Sequence, residues 1–430
     1  MKISPALQHL DPSPTLRINE RVGQLWTEGK QVFHLGFGES RFPVHPKLQV
    51  ALAANGHQKS YLAGQGLAAL REQIAMFYSQ QHQLSISPEQ VIVGPGSKAL
   101  IYALQMALAG DLILPTPSWV SYAPQAGMLG KRVHFVTAKP EDGYELRLQA
   151  VAEAVAAAAH GQKILLLNSP NNPTGRMLDA PFLTELAALC RREEVIVLSD
   201  EIYGLVPHGH KPHLSLARFY PEGTVILGGL SKHLSLGGWR LGVAVVPEGE
   251  NGRFLLERLR AIASEIWSTP TAPVQYAACL AYSNDTDLTN YIAECAQLHA
   301  ARTQHLWSWL NELGVRCPQP DGGFYLFPNF DRWREPLAQR GVRVSDDLAD
   351  YLLETYQIAT LPGSGFGVPP HELSLRLATS YVDMETDEKA ERLLVAAREV
   401  GDTARLMEID QPMMAAVIGR LQQFVESLNS

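Results

Sequence analysis

The sequence predicts an α/β protein in which a mostly parallel seven-stranded sheet is sandwiched by helices and a smaller α+β domain is attached. Three observations carry that expectation. From about residue 60 to residue 250, short β-branched runs alternate with helix-period patterns, as βα units do. Several of these runs are apolar at every position, which suits strands covered by helices on both faces. After Pro247 the pattern turns to long helices, then to a Pro/Gly-rich stretch over 317–328 and a mixed tail.

Taken in order, the arm through about His45 offers few helix signals and is expected to pack with the second domain. Strands are expected at 91–93, 112–114, 132–136, 163–167, 195–199, 225–227 and 241–245. Helices are expected between them at 66–80, 97–109, 148–159 and 180–193. The alanine-rich run 150–159 reads as helix because alanine is the best helix former. In the second domain, strands are expected at 323–327 and 373–379. Two helical segments follow about Asp387, around a Met-rich turn over 407–414, where Met407, Met413 and Met414 read as packing. The expected division is 1–45 as an arm and part of the small domain, 46–305 as the large domain, and 306–430 as the small domain with a helical tail.

The 430 residues are 46% apolar and 19% charged, enough to bury a large core. Thirty-six Lys and Arg against 44 Asp and Glu give a formal charge of -8, which argues against nucleic acid or an anionic bilayer as partner. No apolar run reaches the roughly 18 residues that span a bilayer, and the first fifteen residues carry Asp11 and three prolines instead of a signal core. The expected location is the cytoplasm. Cys190, Cys279, Cys295 and Cys317 lack metal-ligand spacing and read as ordinary buried thiols, so no structural metal is expected. His208, His210 and His213 form a His-rich loop, but Pro207, Gly209 and Pro212 mark it as a turn. The charge cluster 191–194 reads as a solvated helix end.

Chemistry concentrates in three segments. Residues 228–242 place Lys232 in a Gly/Ser loop after a strand and Arg240 eight positions later, which suits an amine nucleophile beside a cation that holds an anion. The other two, 168–175 and 199–203, also begin at strand ends. Asn171-Asn172-Pro173-Thr174-Gly175, Asp200-Glu201-Ile202-Tyr203, Ser231-Lys232 with Gly238-Trp239-Arg240, and the run from Arg376 to Ser380 occur in one order at compatible separations. From about Val32 to Val382 the chain resembles the class I/II aminotransferases of pyridoxal phosphate (PLP) fold type I, in the aspartate aminotransferase superfamily.

The resemblance implies roles residue by residue. Lys232 matches the lysine that forms a Schiff base with pyridoxal 5'-phosphate and shuttles the substrate proton. Asp200 matches the carboxylate that pairs with the pyridinium nitrogen. Tyr203 and Asn172 match the groups that bond the ring's 3′ oxygen. Gly96, Ser97 and Lys98 open a helix in the manner of a phosphate loop, and Arg240 matches the arginine that forks onto the phosphate. The family often carries serine where Gly229 stands, and Ser231 is a substitute for that contact. Trp119 matches the aromatic that stacks on the ring. Tyr61 matches a tyrosine that reaches the phosphate of the neighbouring subunit, implying a homodimer with shared active sites. Arg376 and Gly38 match the groups that hold the substrate α-carboxylate. The family's usual Glu-Pro after that glycine is here Glu39-Ser40.

The implied activity is transfer of an amino group from an L-amino acid to a 2-oxo acid in two half-reactions. A PLP-dependent lyase or an aminocyclopropane-type synthase uses the same residues and is the alternative on this fold. A more distant alternative is a non-catalytic PLP-fold regulator, disfavoured by the acidic charge and by the roughly 30 residues that precede Val32. One aspartate-specific subgroup reads the distal carboxylate with a partner-chain arginine, and 263–268 contains none. Arg41 or Lys98 remains available for an acidic side chain, while Phe37 and Trp267 suit an apolar one. The lean is toward a broad or neutral donor, with 2-oxoglutarate or pyruvate as acceptor.

Overall fold

A computed structural model of the chain describes all residues except 1, 5, 6, 9, 159, 160, 210, 402 and 430, and omits the side chains of 403, 404 and 408. Seven strands build the central sheet: β1 (Val91–Gly94), β2 (Leu112–Thr116), β3 (Val133–Thr137), β4 (Ile164–Asn168), β5 (Ile196–Asp200), β6 (Thr224–Gly229) and β7 (Gly242–Val245). Their spatial order is β1-β7-β6-β5-β4-β2-β3. β7 runs antiparallel to both of its neighbours, and the other four pairs are parallel. All seven expected strands are present, displaced by one or two residues at their ends.

Both faces of the sheet are covered, which is why its strands lack polar alternation. Ile164, Leu166 and Leu198 face the helices Ser97–Ala107 and Glu250–Ile266. Leu165, Leu167 and Val197 face Leu148–Ala157 and Ala180–Arg192 on the other side. The alanine-rich run is helical through Ala157, and its expected end at Ala159 lies outside the described residues. Register then lines up the motif ends. Asn168 pairs with Asp200, Gly229 with Gly242, and Gly242 with Gly94, all along one edge. Ligands of such sheets bind outside the carboxyl ends of the parallel strands.

A second, three-stranded antiparallel sheet contains β8 (Tyr325–Leu326), β9 (Leu361–Pro362) and β10 (Leu375–Ala378), in the order β9-β10-β8. Phe33–His34 pairs in parallel with Ile358–Ala359, joining the N-terminal arm to the C-terminal part. The arm itself corrects the sequence reading. It holds a helix, Pro14–Thr27, in which only Val22 and Leu25 are buried. Ile18 packs with them, and the three recur at i, i+4 and i+7 after Pro14 in the first turn, so the helical signal is present in the sequence. The tail is helical over Asp387–Val400 and Pro412–Asn429, and Met414 packs in the second core. No helix among the described residues is long and apolar enough to cross a membrane.

Gly242 is where sheet and site meet. A Cβ there would lie 2.2 Å from the Ser97 backbone nitrogen, so only glycine lets β7 abut the turn that starts the next helix. Gly242→Ala is expected to cost about 2–3 kcal/mol by overpacking against backbone, read as a lowered denaturation midpoint at unchanged m-value.

Candidate active site

The aligned strand ends open onto a cavity of about 370 Å³, within the range of small-molecule sites. Gly38, Ser97, Lys98, Trp119, Asn172, Asp200, Tyr203, Ser231, Lys232, Arg240 and Arg376 all line it. Of the expected residues, two do not. Gly96 lies just behind Ser97, beside Arg240, and Tyr61 sits in a loop, 88% exposed.

Asp200 ends β5 on the cavity floor, only 3% exposed. Its Oδ2 accepts a 2.6 Å bond from the Tyr122 hydroxyl, and its Oδ1 accepts from the Ile202 amide at 3.2 Å. Burial pushes the carboxyl up to about 6, and these two donors pull the other way. Glu201, the next residue, turns away from the cavity. Its carboxylate accepts bonds from Ser199 at 2.8 Å and Ser215 at 2.6 Å, and lies 3.0 Å from His213 Nε2. The His-rich loop is thereby divided among separate neighbours. His208 Nε2 bonds the Gly323 carbonyl at 2.8 Å, His213 serves Glu201, and His210 lies outside the described residues.

The Lys232 amine donates to the Gly38 carbonyl at 2.7 Å and lies 5.6 Å from the Tyr203 ring centre. Tyr203 and Tyr325 share a hydroxyl bond of 2.8 Å, and Tyr325 also donates to Gly38 at 3.2 Å. Burial raises the Tyr203 phenol well above its ordinary range, so it remains protonated. Arg376, on β10, is 1% exposed and spans the gap to the N-terminal arm. It donates to the Gly36 carbonyl at 2.6 Å and to Asn172 Oδ1 at 3.4 Å, between the faces of Tyr325 and Phe366.

The other end of the cavity is cationic. Gly96, with φ +92°, caps the helix Ser97–Ala107 without a side-chain bond, leaving the first amides free to point at an anion. A Cβ on Gly96 would lie 2.3 Å from the Arg240 guanidinium. Arg240 itself is held at φ 52° and donates to the Gly237 and Pro95 carbonyls. Lys98 Nζ stands 4.9 Å over the Trp119 ring, its pKa lowered by burial and by the neighbouring Arg240 and Lys232 charges.

Comparison with known proteins decides the family. The profile described as aminotransferase class I and II matches residues 30–393. The chain belongs to that family. It is 35% identical to an aspartate aminotransferase of Geobacillus stearothermophilus, over 90% of this chain and 97% of the relative. An aspartate aminotransferase of Bacillus subtilis (strain 168) is 32% identical over 88% and 95%. Among solved structures, the aspartate aminotransferase of Thermus thermophilus with maleate superposes with a TM-score of 0.80 at 27% identity, covering 93% of this chain and 99% of that one. The protein is therefore a transaminase of PLP fold type I, and its cofactor is pyridoxal 5'-phosphate.

The residues present fit that cofactor. A buried carboxylate whose hydrogen-bond donors are a phenol and an amide suits a cationic ring nitrogen, and the uncapped helix start beside Arg240 suits a dianionic phosphate. Sequence reasoning missed Tyr122 and Tyr325, as well as Ser13 and Thr15, which line the mouth from the arm. Tyr122 falls three residues after Trp119 and reads as an ordinary core aromatic until its hydroxyl is seen on Asp200.

Burial of Asp200 has a consequence for the cofactor-free protein. A carboxyl raised from 3.8 to about 6 binds its proton more tightly in the fold, so its contribution to stability is full below about pH 4 and is lost as pH rises through 6. Asp200→Asn lacks that ionisation. Its melting temperature relative to the unsubstituted apoprotein is expected to rise between pH 4 and 6 and level off above, and a difference independent of pH refutes burial as the cause.

Proposed function

We propose that this transaminase takes a dicarboxylic amino acid such as aspartate as donor, with Lys232 as the amine that moves the proton and Arg376 as the grip on the α-carboxylate. The observation that carries it is the convergence of Lys232, Asp200 and Arg376 on one cavity that Lys98 also lines. Relatives named aspartate aminotransferase support the donor class.

Each role follows from position. Bound, PLP supplies a carbonyl that condenses with amines and a ring that withdraws electrons from the carbon losing its proton. Asp200 would hold the ring nitrogen protonated, its carboxylate oriented by the charge-assisted bond from Tyr122. Tyr203 and Asn172 would bond the 3′ oxygen and Trp119 would pack on the ring. Ser97, Arg240 and Ser231, with the amides after Gly96, would hold the phosphate. The Arg376 fork takes two carboxylate oxygens and turns the α-hydrogen toward Lys232, whose amine carries that proton away and later returns it.

Donor choice turns on a cation for the second carboxylate. Arg41 is occupied by Glu39 and the Glu385 carbonyl and does not line the cavity. Lys98 does. The sequence alone leans toward a broad or neutral donor, and the relatives' names together with Lys98 favour a dicarboxylic one. The same reading includes a homodimer in which exposed Tyr61 reaches the neighbouring subunit's phosphate, and a division into a cofactor-binding unit over 46–305 and a second unit from 1–45 and 306–430. Four free cysteines fit the reducing cytoplasm.

Lys232→Ala is expected to abolish both turnover and the visible absorption of the holoenzyme, and borohydride reduction should mark position 232 in the parent alone. Lys98→Ala is expected to raise KM for aspartate by about tenfold while leaving KM for alanine within about twofold, the worth of one charge-assisted bond. Equal loss for both donors, or a screen of amino acids in which aspartate and glutamate are poor donors, refutes the donor assignment.

A further inference from the structure

Ser40 follows Glu39 in the arm segment that meets the lysine loop. Here its hydroxyl lies 2.6 Å from Ser235 Oγ and 3.0 Å from His299 Nε2. Ser40 is two residues beyond Gly38, whose carbonyl accepts the Lys232 amine, and Ser235 is three residues beyond Lys232. The bond therefore joins the two segments that meet at that amine.

A serine beside a histidine has the form of a nucleophile and its base, but Ser40 is 2% exposed and lines no part of the cavity. Its surroundings are built for rigidity instead. His299 is wedged between the rings of Phe42 and Phe324, each 4.8 Å away, and burial holds the imidazole well below its ordinary pKa and neutral. Phe324 in turn lies 5.9 Å from Lys232 Nζ. Ser235 adopts φ 58°, in the left-handed region that serine enters only when its surroundings impose it.

We propose that Ser40 is a positioning residue for the Lys232 amine, acting through Ser235 to hold the lysine loop at a fixed distance from the Gly38 carbonyl. Lys232 reaches its target only over a narrow range of geometry, and a four-carbon side chain supplies little rigidity of its own. The hydroxyl bridge supplies it from the backbone on either side. His299 sets the Ser40 rotamer, and the strained Ser235 backbone is the distortion that the bridge maintains. This inference rests on the reading of Lys232 as the acting amine.

The test uses Ser40→Ala, Ser40→Thr, Ser235→Gly and the double variant Ser40→Ala/Ser235→Gly. Borohydride trapping at position 232 of the parent holoenzyme comes first, and its failure refutes the reading of Lys232 independently of Ser40. In Ser40→Ala and Ser235→Gly, kcat is expected to fall about fivefold with KM for the donor within about twofold, the size of one hydrogen bond. Ser40→Thr, which keeps the hydroxyl, should restore kcat. Cofactor-free Ser40→Ala should develop the visible absorption about fivefold more slowly on adding PLP. Its affinity for pyridoxamine phosphate, which has no carbonyl for Lys232 to attack, should be unchanged. Ser235→Gly relieves the left-handed strain, so its melting temperature should hold or rise while kcat falls.

The double variant should be no worse than either single one, because both remove the same bond. Multiplicative losses, equal weakening of both cofactor forms, or kcat losses that track melting temperature overturn the proposal.

Discussion

Keeping the Asp200 carboxylate buried is the constraint from which the rest of the cavity follows. Desolvating a carboxylate costs several kcal/mol even after relaxation, and a fold keeps such a group only where something stabilises its charge. The Tyr122 hydroxyl and the Ile202 amide offset part of that cost, yet the carboxyl remains raised. A cation seated against it, as the ring nitrogen of PLP would be, offsets such a cost. Trp119, Tyr203 and Asn172 line the same cavity as that carboxylate.

The opposite end depends on close backbone approach. Gly96 and Gly242 occupy places where a Cβ would strike the Arg240 guanidinium or the Ser97 amide. With both glycines present, β7, the helix start and Arg240 converge on a single pole of positive potential. Lys98 belongs to the same helix turn as Ser97 and lines the same cavity. Burial lowers the Lys98 pKa, and the neighbouring Arg240 and Lys232 charges lower it further.

Legibility followed the range of the interactions. Lys232, Asp200, Asn172 and Arg376 each sit in a local motif at a strand end, and the register of β4 with β5 is enough to bring two of those motifs side by side. Tyr122 and Tyr325 act through hydroxyls that reach across 78 and 122 residues of sequence, and no local pattern announces such a reach. The helix Pro14–Thr27 is a different case: Ile18, Val22 and Leu25 repeat at helical spacing and were legible locally, whereas its placement of Ser13 and Thr15 on the cavity was not.

By itself the sequence determined the α/β class, the seven strands, the family and the chemical identity of the cavity, since short-range periodicity and motif spacing encode all of these. Tertiary structure decided which cation is free. Arg41 and Lys98 are equivalent as letters, and only packing shows one tied to Glu39 and the other open to the cavity. It also decided that Glu201 turns from the site its neighbour Asp200 faces, because adjacent residues at a strand end point to opposite sides and only the layers above and below say which side holds the cavity.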